Sequence, residues 1–163
     1  MADFTNTIPA SQVTLLNSQE RLSGFTHKFT IKYTDIINAS SAGATDTMTV
    51  TLLAATPPDW IVRKAVANVT TAFSAASSQT LVMEVGTDGD PDNFIAAASV
   101  LTAGPIIPAQ GGIVKTQAGS AAAAPDVLVA KFTSGTAGNL SGSSITAGEV
   151  DIFIELLDLN HIA

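Results

Sequence analysis

Phe25-Thr26-His27-Lys28-Phe29-Thr30-Ile31-Lys32-Tyr33 carries Phe, His, Phe, Ile and Tyr at its odd positions and only Thr or Lys at its even ones. Side chains alternate across a β-strand, so this period of two predicts a strand with one buried and one wetted face, with His27 on the buried side. Thr47-Met48-Thr49-Val50-Thr51-Leu52-Leu53 repeats the pattern and turns Met48, Val50 and Leu52 inward. Residues 80–85, 126–133 and 149–157 read as further strands, and the last is apolar enough to be expected at the centre of a sheet. Trp60 to Phe73 is long enough for a helix. Its β-branched residues and hydroxyls favour a strand with a bend or bulge instead.

Between these strands lie loops by composition at 38–44 and over 134–144, a strand candidate at Ile113 to Gln117, and an alanine run before Pro125. Pro91 to Leu101 is expected to be a short helix: Asp90 can cap it, Pro91 suits the first turn, Phe94, Ala98 and Leu101 share a helical face, and Gly104-Pro105 would end it. Residues 1–22, with Pro9 and isolated apolar residues, read as an extended N-terminal arm that docks as an edge strand or reaches a neighbour. Residues 23–163 then form one domain. About eight strands and one inserted helix predict an all-β fold, an antiparallel β-sandwich of jelly-roll type.

Composition narrows the function. Hydrophobic residues make up 46% and aromatics only 6%, so Val, Ile, Leu and Ala must fill the core, with Trp60 and seven Phe as its large anchors. Charged residues are sparse at 13% beside 20 Thr and 14 Ser, which implies a neutral, hydroxyl-rich surface suited to lying against other protein. The net charge is −7, and the seven bases, Arg21, Lys28, Lys32, Arg63, Lys64, Lys115 and Lys131, form no stripe. Phosphate neutralisation dominates nucleic-acid affinity, so direct DNA or RNA binding is not expected. No segment reads as a secretory signal or a bilayer span, and the lack of cysteine suits a reducing cytoplasm. Three Asn-X-Ser/Thr triplets, at Asn38, Asn68 and Asn139, are expected by chance in so hydroxyl-rich a chain.

Few residues suggest chemistry. Asp88, Asp90 and Asp92 alternate through Gly86-Thr87-Asp88-Gly89-Asp90-Pro91-Asp92-Asn93, a spacing that can converge on calcium. The EF-hand pattern fails, because the sixth position from Asp88 is Asn93 and the twelfth Ser99, so a turn before the helix is the expected role. His27 and His161 are far apart in sequence, and His27 is expected to be partly buried with a hydrogen-bond partner. No Gly-x-Ser-x-Gly elbow, phosphate loop or dinucleotide fingerprint occurs. Glu149, Asp151 and Glu155 share one face of their strand, with Asp158 beyond, and are expected to be solvated; a paired-carboxylate hydrolase is the competing reading. Trp60 is expected to be a core anchor. No catalytic, cofactor or metal residue is assigned, and the chain is not expected to be an enzyme.

The run Leu81-Val82-Met83-Glu84-Val85-Gly86-Thr87-Asp88-Gly89-Asp90-Pro91-Asp92-Asn93-Phe94-Ile95-Ala96-Ala97, with the closing segment Ala147-Gly148-Glu149-Val150-Asp151-Ile152-Phe153-Ile154-Glu155-Leu156, resembles small structural proteins of tailed bacteriophages, in particular head decoration or cement proteins. In that family a strand ending in Val-Gly-Asp leads through an aspartate turn into a short helix, and the last strand closes the sheet; here Thr87 intervenes between Gly86 and Asp88. The resemblance implies a jelly-roll-type fold on the outer surface of a phage capsid. It further implies a symmetric homo-oligomer, a trimer favoured, bound to the major capsid protein at capsomer junctions and stabilising the head against internal pressure after synthesis in the host cytoplasm. Interfaces of about 1,600 Å² repeated over a shell would supply that stabilisation without catalysis, cofactor or membrane contact. The alternatives are a carbohydrate-binding or adhesive β-sandwich, calcium-dependent through Asp88, Asp90 and Asp92, or another virion component such as a jelly-roll capsid subunit or a tail or fibre protein.

Overall fold

The structure, a computed structural model, describes residues 2–15, 24–37, 46–54, 60–74, 80–107, 127–135, 140 and 144–158. Ten strands run through them: β1 Ala2–Thr7, β2 Val13–Leu15, β3 His27–Lys32, β4 Asp46–Leu53, β5 Trp60–Thr71, β6 Leu81–Thr87, β7 Asp90–Ser99, β8 Gly104–Ile106, β9 Leu128–Ser134 and β10 Glu149–Asp158. They form two five-stranded sheets, ordered β1-β4-β9-β6-β7 and β2-β3-β10-β5-β8. Within the set β3 to β10 the pairing is nested: β3 lies beside β10, β4 beside β9, β5 beside β8 and β6 beside β7, all antiparallel. Successive pairs alternate between the sheets, so most connections cross from one layer to the other.

The alternation read in the sequence places the core. Phe29 and Ile31, Met48, Val50 and Leu52, Leu81, Met83 and Val85, Ala130 and Phe132, and Val150, Ile152 and Ile154 are buried together. The Phe73 and Phe132 rings sit 5.8 Å apart in a tilted pair. Each such large apolar side chain contributes about 1.5–3 kcal/mol by leaving water. β10 is the middle strand of its sheet, as its apolar run predicts.

Bulges explain where strict alternation breaks. Against β10, β5 has register shifts at Glu149/Val150 and at Glu155/Leu156, which leave Thr70 and Arg63 as its extra residues. The second shift lets Val62 and Ala65, three apart, both face the core. The bend or bulge expected in this segment is therefore real.

Three expectations need correction. The segment 91–101 is not a helix: Asp90–Ser99 is strand β7, folded back on β6 through the two-residue turn Asp88-Gly89. A bulge sets Ile95 opposite Val85 and Ala98 opposite Met83, so inward residues fall three apart and imitate helical spacing. The short helix is elsewhere, at Tyr33–Ile36 (α1). Phe25 leaves the alternation as well, because β3 begins only at His27 and the Phe25 ring packs 5.8 Å from Phe153 on the outer face. The sandwich is not wholly antiparallel, since β1 runs parallel to β4. The N-terminal segment supplies edge strands to both sheets, β1 to the first and β2 to the second. The loop at 38–44, the strand candidate at Ile113 to Gln117 and the alanine run lie outside the described residues, as do parts of 134–144.

Close approach of backbone fixes Gly86. A Cβ there would fall on the carbonyl oxygen of Asp90 and lie 2.6 Å from the carbonyl carbon of Pro91, whereas one at Gly89 meets nothing within 4 Å. Gly86→Ala is expected to lower the unfolding free energy in urea by about 1–3 kcal/mol. Gly89→Ala should stay within about 0.5 kcal/mol of the parent. Equal effects would contradict the packing of β7 over Gly86.

Candidate functional site

The outward-facing side chains, opposite in phase to the core rows, make up the surfaces available to a partner. On the first sheet they form cross-strand rows: Thr47 beside Thr133 and Val82, Thr49 beside Lys131 and Glu84, Thr51 beside Val129 and Gly86, the last two being buried, Gly86 beneath the backbone of Asp90 and Pro91. β1 extends all three rows, setting Asp3 beside Thr47, Thr5 beside Thr49 and Thr7 beside Thr51. In the middle row Lys131 and Glu84 lie 3.9 Å apart. Thr47 is buried and its Oγ1 has no hydrogen-bond partner.

The second sheet carries more charge, and it is tied down. Asp151 Oδ2 lies 2.8 Å from Lys28 Nζ, and its Oδ1 accepts from Thr30 Oγ1 at 2.7 Å. Arg63 Nη1 donates to Glu155 Oε1 at 3.0 Å, and Thr70 Oγ1 donates to Glu149 Oε1 at 3.0 Å. Arg63 and Thr70 are the two bulge residues of β5, so each bulge turns a side chain onto a glutamate of β10. Lys64 Nζ stands 4.3 Å over the Phe25 ring and Lys28 Nζ 5.9 Å over Phe153, which keeps the aromatic pair covered. The expected solvated carboxylate face is thus corrected at Asp151, which is only 6% exposed. Each of Glu149, Asp151 and Glu155 holds a cross-strand partner on a sheet face. The Asp158 side chain and His161 lie outside the described residues, as does the side chain of Trp60, which opens β5.

His27 is half-buried on the inner face. Its Nδ1 lies 2.8 Å from Thr26 Oγ1, and its ring stacks on Phe29 with centroids 6.1 Å apart. Asp88 occupies the β6–β7 turn, with its N–H donating to Val127, while Asp90 and Asp92 belong to β7. Among the described residues no three His, Asp or Glu side chains gather as metal ligands. Asp46 is a carboxylate that the sequence reading passes over. It is 1% exposed at the start of β4, where Oδ2 accepts from the Leu140 N–H at 3.3 Å and the backbone exchanges bonds with Ser134 Oγ. An Asp opening an alternating run looks like a loop residue, and only the fold reveals that it anchors the buried Leu140. Among the described residues no helix is long and apolar enough to cross a membrane.

Comparison with protein-family models, with curated proteins and with solved structures finds no match to this chain.

Two predictions follow from the site geometry. Lys28→Met leaves Asp151 buried without its cation, whereas Asp151→Asn leaves Lys28, 31% exposed, able to reach water. The lysine substitution should therefore cost more, about 1–3 kcal/mol against about 1 kcal/mol or less, in urea unfolding; the reverse order would sink this account. Adding calcium, or removing it with a chelator, is expected to leave the thermal midpoint unchanged. A calcium-dependent rise would show that Asp88, Asp90 and Asp92 converge on the ion.

Proposed function

We propose that this chain is a structural protein of a tailed-bacteriophage virion, a decoration protein that binds the major capsid protein on the outer head surface at capsomer junctions. In this reading it acts as a symmetric homo-oligomer, a trimer favoured, and strengthens the shell against internal pressure. The observation that carries the reading is the nature of the two sheet faces. On the first sheet Lys131 pairs with Glu84 among rows rich in threonine, and on the second Lys28 pairs with Asp151 and Arg63 with Glu155, which limits the desolvation of charge that opposes laying these faces on another protein. The fold belongs to the same proposal. Eight strands nested as β3 with β10, β4 with β9, β5 with β8 and β6 with β7, with the pairs alternating between two sheets, support a jelly roll, the architecture of many capsid domains. The resemblance loses one element, because the segment after the aspartate turn is strand β7 where the family pattern has a helix.

A carbohydrate-binding module presents aromatic platforms. Phe25 is buried against Phe153 beneath Lys64, and that arrangement favours the protein-binding reading. The test is to mix the purified chain with undecorated heads, or to fractionate the virions that contain it, and to count copies per particle. Hundreds of copies on the outer surface are expected. A handful per particle would point to a tail or fibre component, and no binding would overturn the proposal.

A further inference from the structure

Asp88-Gly89 is the one place in the chain where an Asp or Asn precedes glycine. An aspartate side chain reaches the backbone nitrogen of the next residue by closing a five-membered ring, so the bulk on that residue decides how readily the two meet. Every other Asp or Asn is followed by a residue whose side chain crowds the nitrogen, and after Asp90 the nitrogen belongs to Pro91 and carries no hydrogen.

The fold leaves this pair open. Thr87 and Asp90 are register partners, which makes Asp88-Gly89 a two-residue turn at the tip of the β6–β7 hairpin, and both of its residues are exposed. The Asp88 N–H donates to the Val127 carbonyl at 3.0 Å, whereas among the described residues neither the Asp88 carboxylate nor the Gly89 N–H has a hydrogen-bond or ion-pair partner. A Cβ at Gly89 would meet nothing within 4 Å, so no neighbour stands over the amide. The backbone does not demand glycine at this position, since the described glycines with positive φ are Gly24, Gly104 and Gly148. What Gly89 contributes is an uncrowded nitrogen beside an unpartnered carboxyl. Exposed loop tips open at little cost in free energy, so the fold does not hold this pair away from the ring geometry.

We infer that Asp88-Gly89 is a self-modification site, at which the chain converts Asp88 to isoaspartate through a cyclic imide. The Gly89 nitrogen attacks Cγ of the protonated Asp88 carboxyl; the N–Cγ bond forms, and the carboxyl hydroxyl leaves with the amide proton as water. Water then adds to either ring carbonyl. Breaking the bond from nitrogen to Cγ restores aspartate. Breaking the bond from nitrogen to the Asp88 carbonyl carbon leaves Gly89 linked through Cγ, with one additional main-chain atom and a free α-carboxylate. The reaction consumes water alone and needs no oxidant, cofactor or capsid, so it stands apart from the virion reading.

The position gives the product a structural effect. A two-residue turn has no slack, and the strand it feeds lays the Asp90 and Pro91 backbone against Gly86 more closely than a Cβ there would permit. An additional main-chain atom shifts Asp90 and Pro91 off that contact and loosens the start of β7, while Ile95, buried opposite Val85, holds the rest of the strand.

The purified full chain is aged at physiological temperature and neutral pH, and isoaspartate is located by peptide mapping with isoaspartate-selective methyl transfer. The same chain unfolded in guanidinium is the reference. Gly89→Ala, expected to fold with near-parent stability, crowds the nitrogen. Isoaspartate is expected at residue 88 of the folded parent at a rate within about tenfold of the unfolded rate, tenfold protection being what an opening cost of about 1.4 kcal/mol would impose. It is expected to form far more slowly in Gly89→Ala. Accumulation in guanidinium with none in the folded chain overturns the inference, because the hairpin then shields the pair, and absence in both states overturns it as well. Equal accumulation in Gly89→Ala does the same, because an uncrowded nitrogen is then not what drives the attack. Amide exchange reads the structural effect: Asp90, Asp92 and Asn93 should exchange faster in the modified molecules and residues 81–85 should not. Unchanged exchange at all of them would refute the loosening of β7.

Discussion

The pairing of β10 with β3 on one side and β5 on the other is the constraint on which the rest depends. It joins the last described strand to the first strand of the nested set, and it brings Val150, Ile152 and Ile154 onto one inner row, all fully buried. The remaining pairs then follow inward, to the β6–β7 hairpin. The same pairing determines the outer face. Once even positions of β10 point to the core, Asp151 must lie between Thr30 and Asn68, where it is shielded from water. A shielded carboxylate is tolerable only with partners, and Lys28 and Thr30 supply them.

The sheet edges show a second constraint, the need to avoid open ladders. β7 carries Pro91 and two register irregularities, and β8 is three residues long with Pro105 at its centre. Both features discourage pairing with another chain. On the opposite side the edges of β3 and β4 are regular, and they are covered by residues 2–15. Two crossings between the layers, residues 8–12 and α1, therefore lie together there, joined through Asp35. Stability along this side depends more on hydrogen bonds than on apolar burial, in contrast with the interior around Phe132.

Chemistry is placed according to the same logic. Of the five described bases, Lys28, Arg63 and Lys131 each face a carboxylate within their own sheet, while Asp88 in the β6–β7 turn and Asp92 on β7 are exposed.

Composition and alternation alone determined that this is an all-β chain, which segments form the strands β3, β4, β6, β9 and β10, and that Phe29, Ile31, Met48, Val50 and Leu52 face inward, because a half-buried strand writes its two faces into every second residue. They also placed His27 beside a hydrogen-bond partner and suggested a bulge in β5. Tertiary structure decided the rest. Helical spacing at Phe94, Ala98 and Leu101 belongs to a bulged strand, because pairing with β6 through the Asp88-Gly89 turn outweighs the local helix preference of three alanines. Phe25 and Asp151 are both buried on the outer face, against the expected inner face for one and solvation for the other, since burial there depends on what packs above it, and Asp46 is buried because a distant segment closes over it. Period and propensity act between residues a few positions apart. The hydrogen bonds of Asn6 and Gln12 to Asp35 and the parallel β1–β4 pairing join residues tens of positions apart, and only the folded chain brings them together.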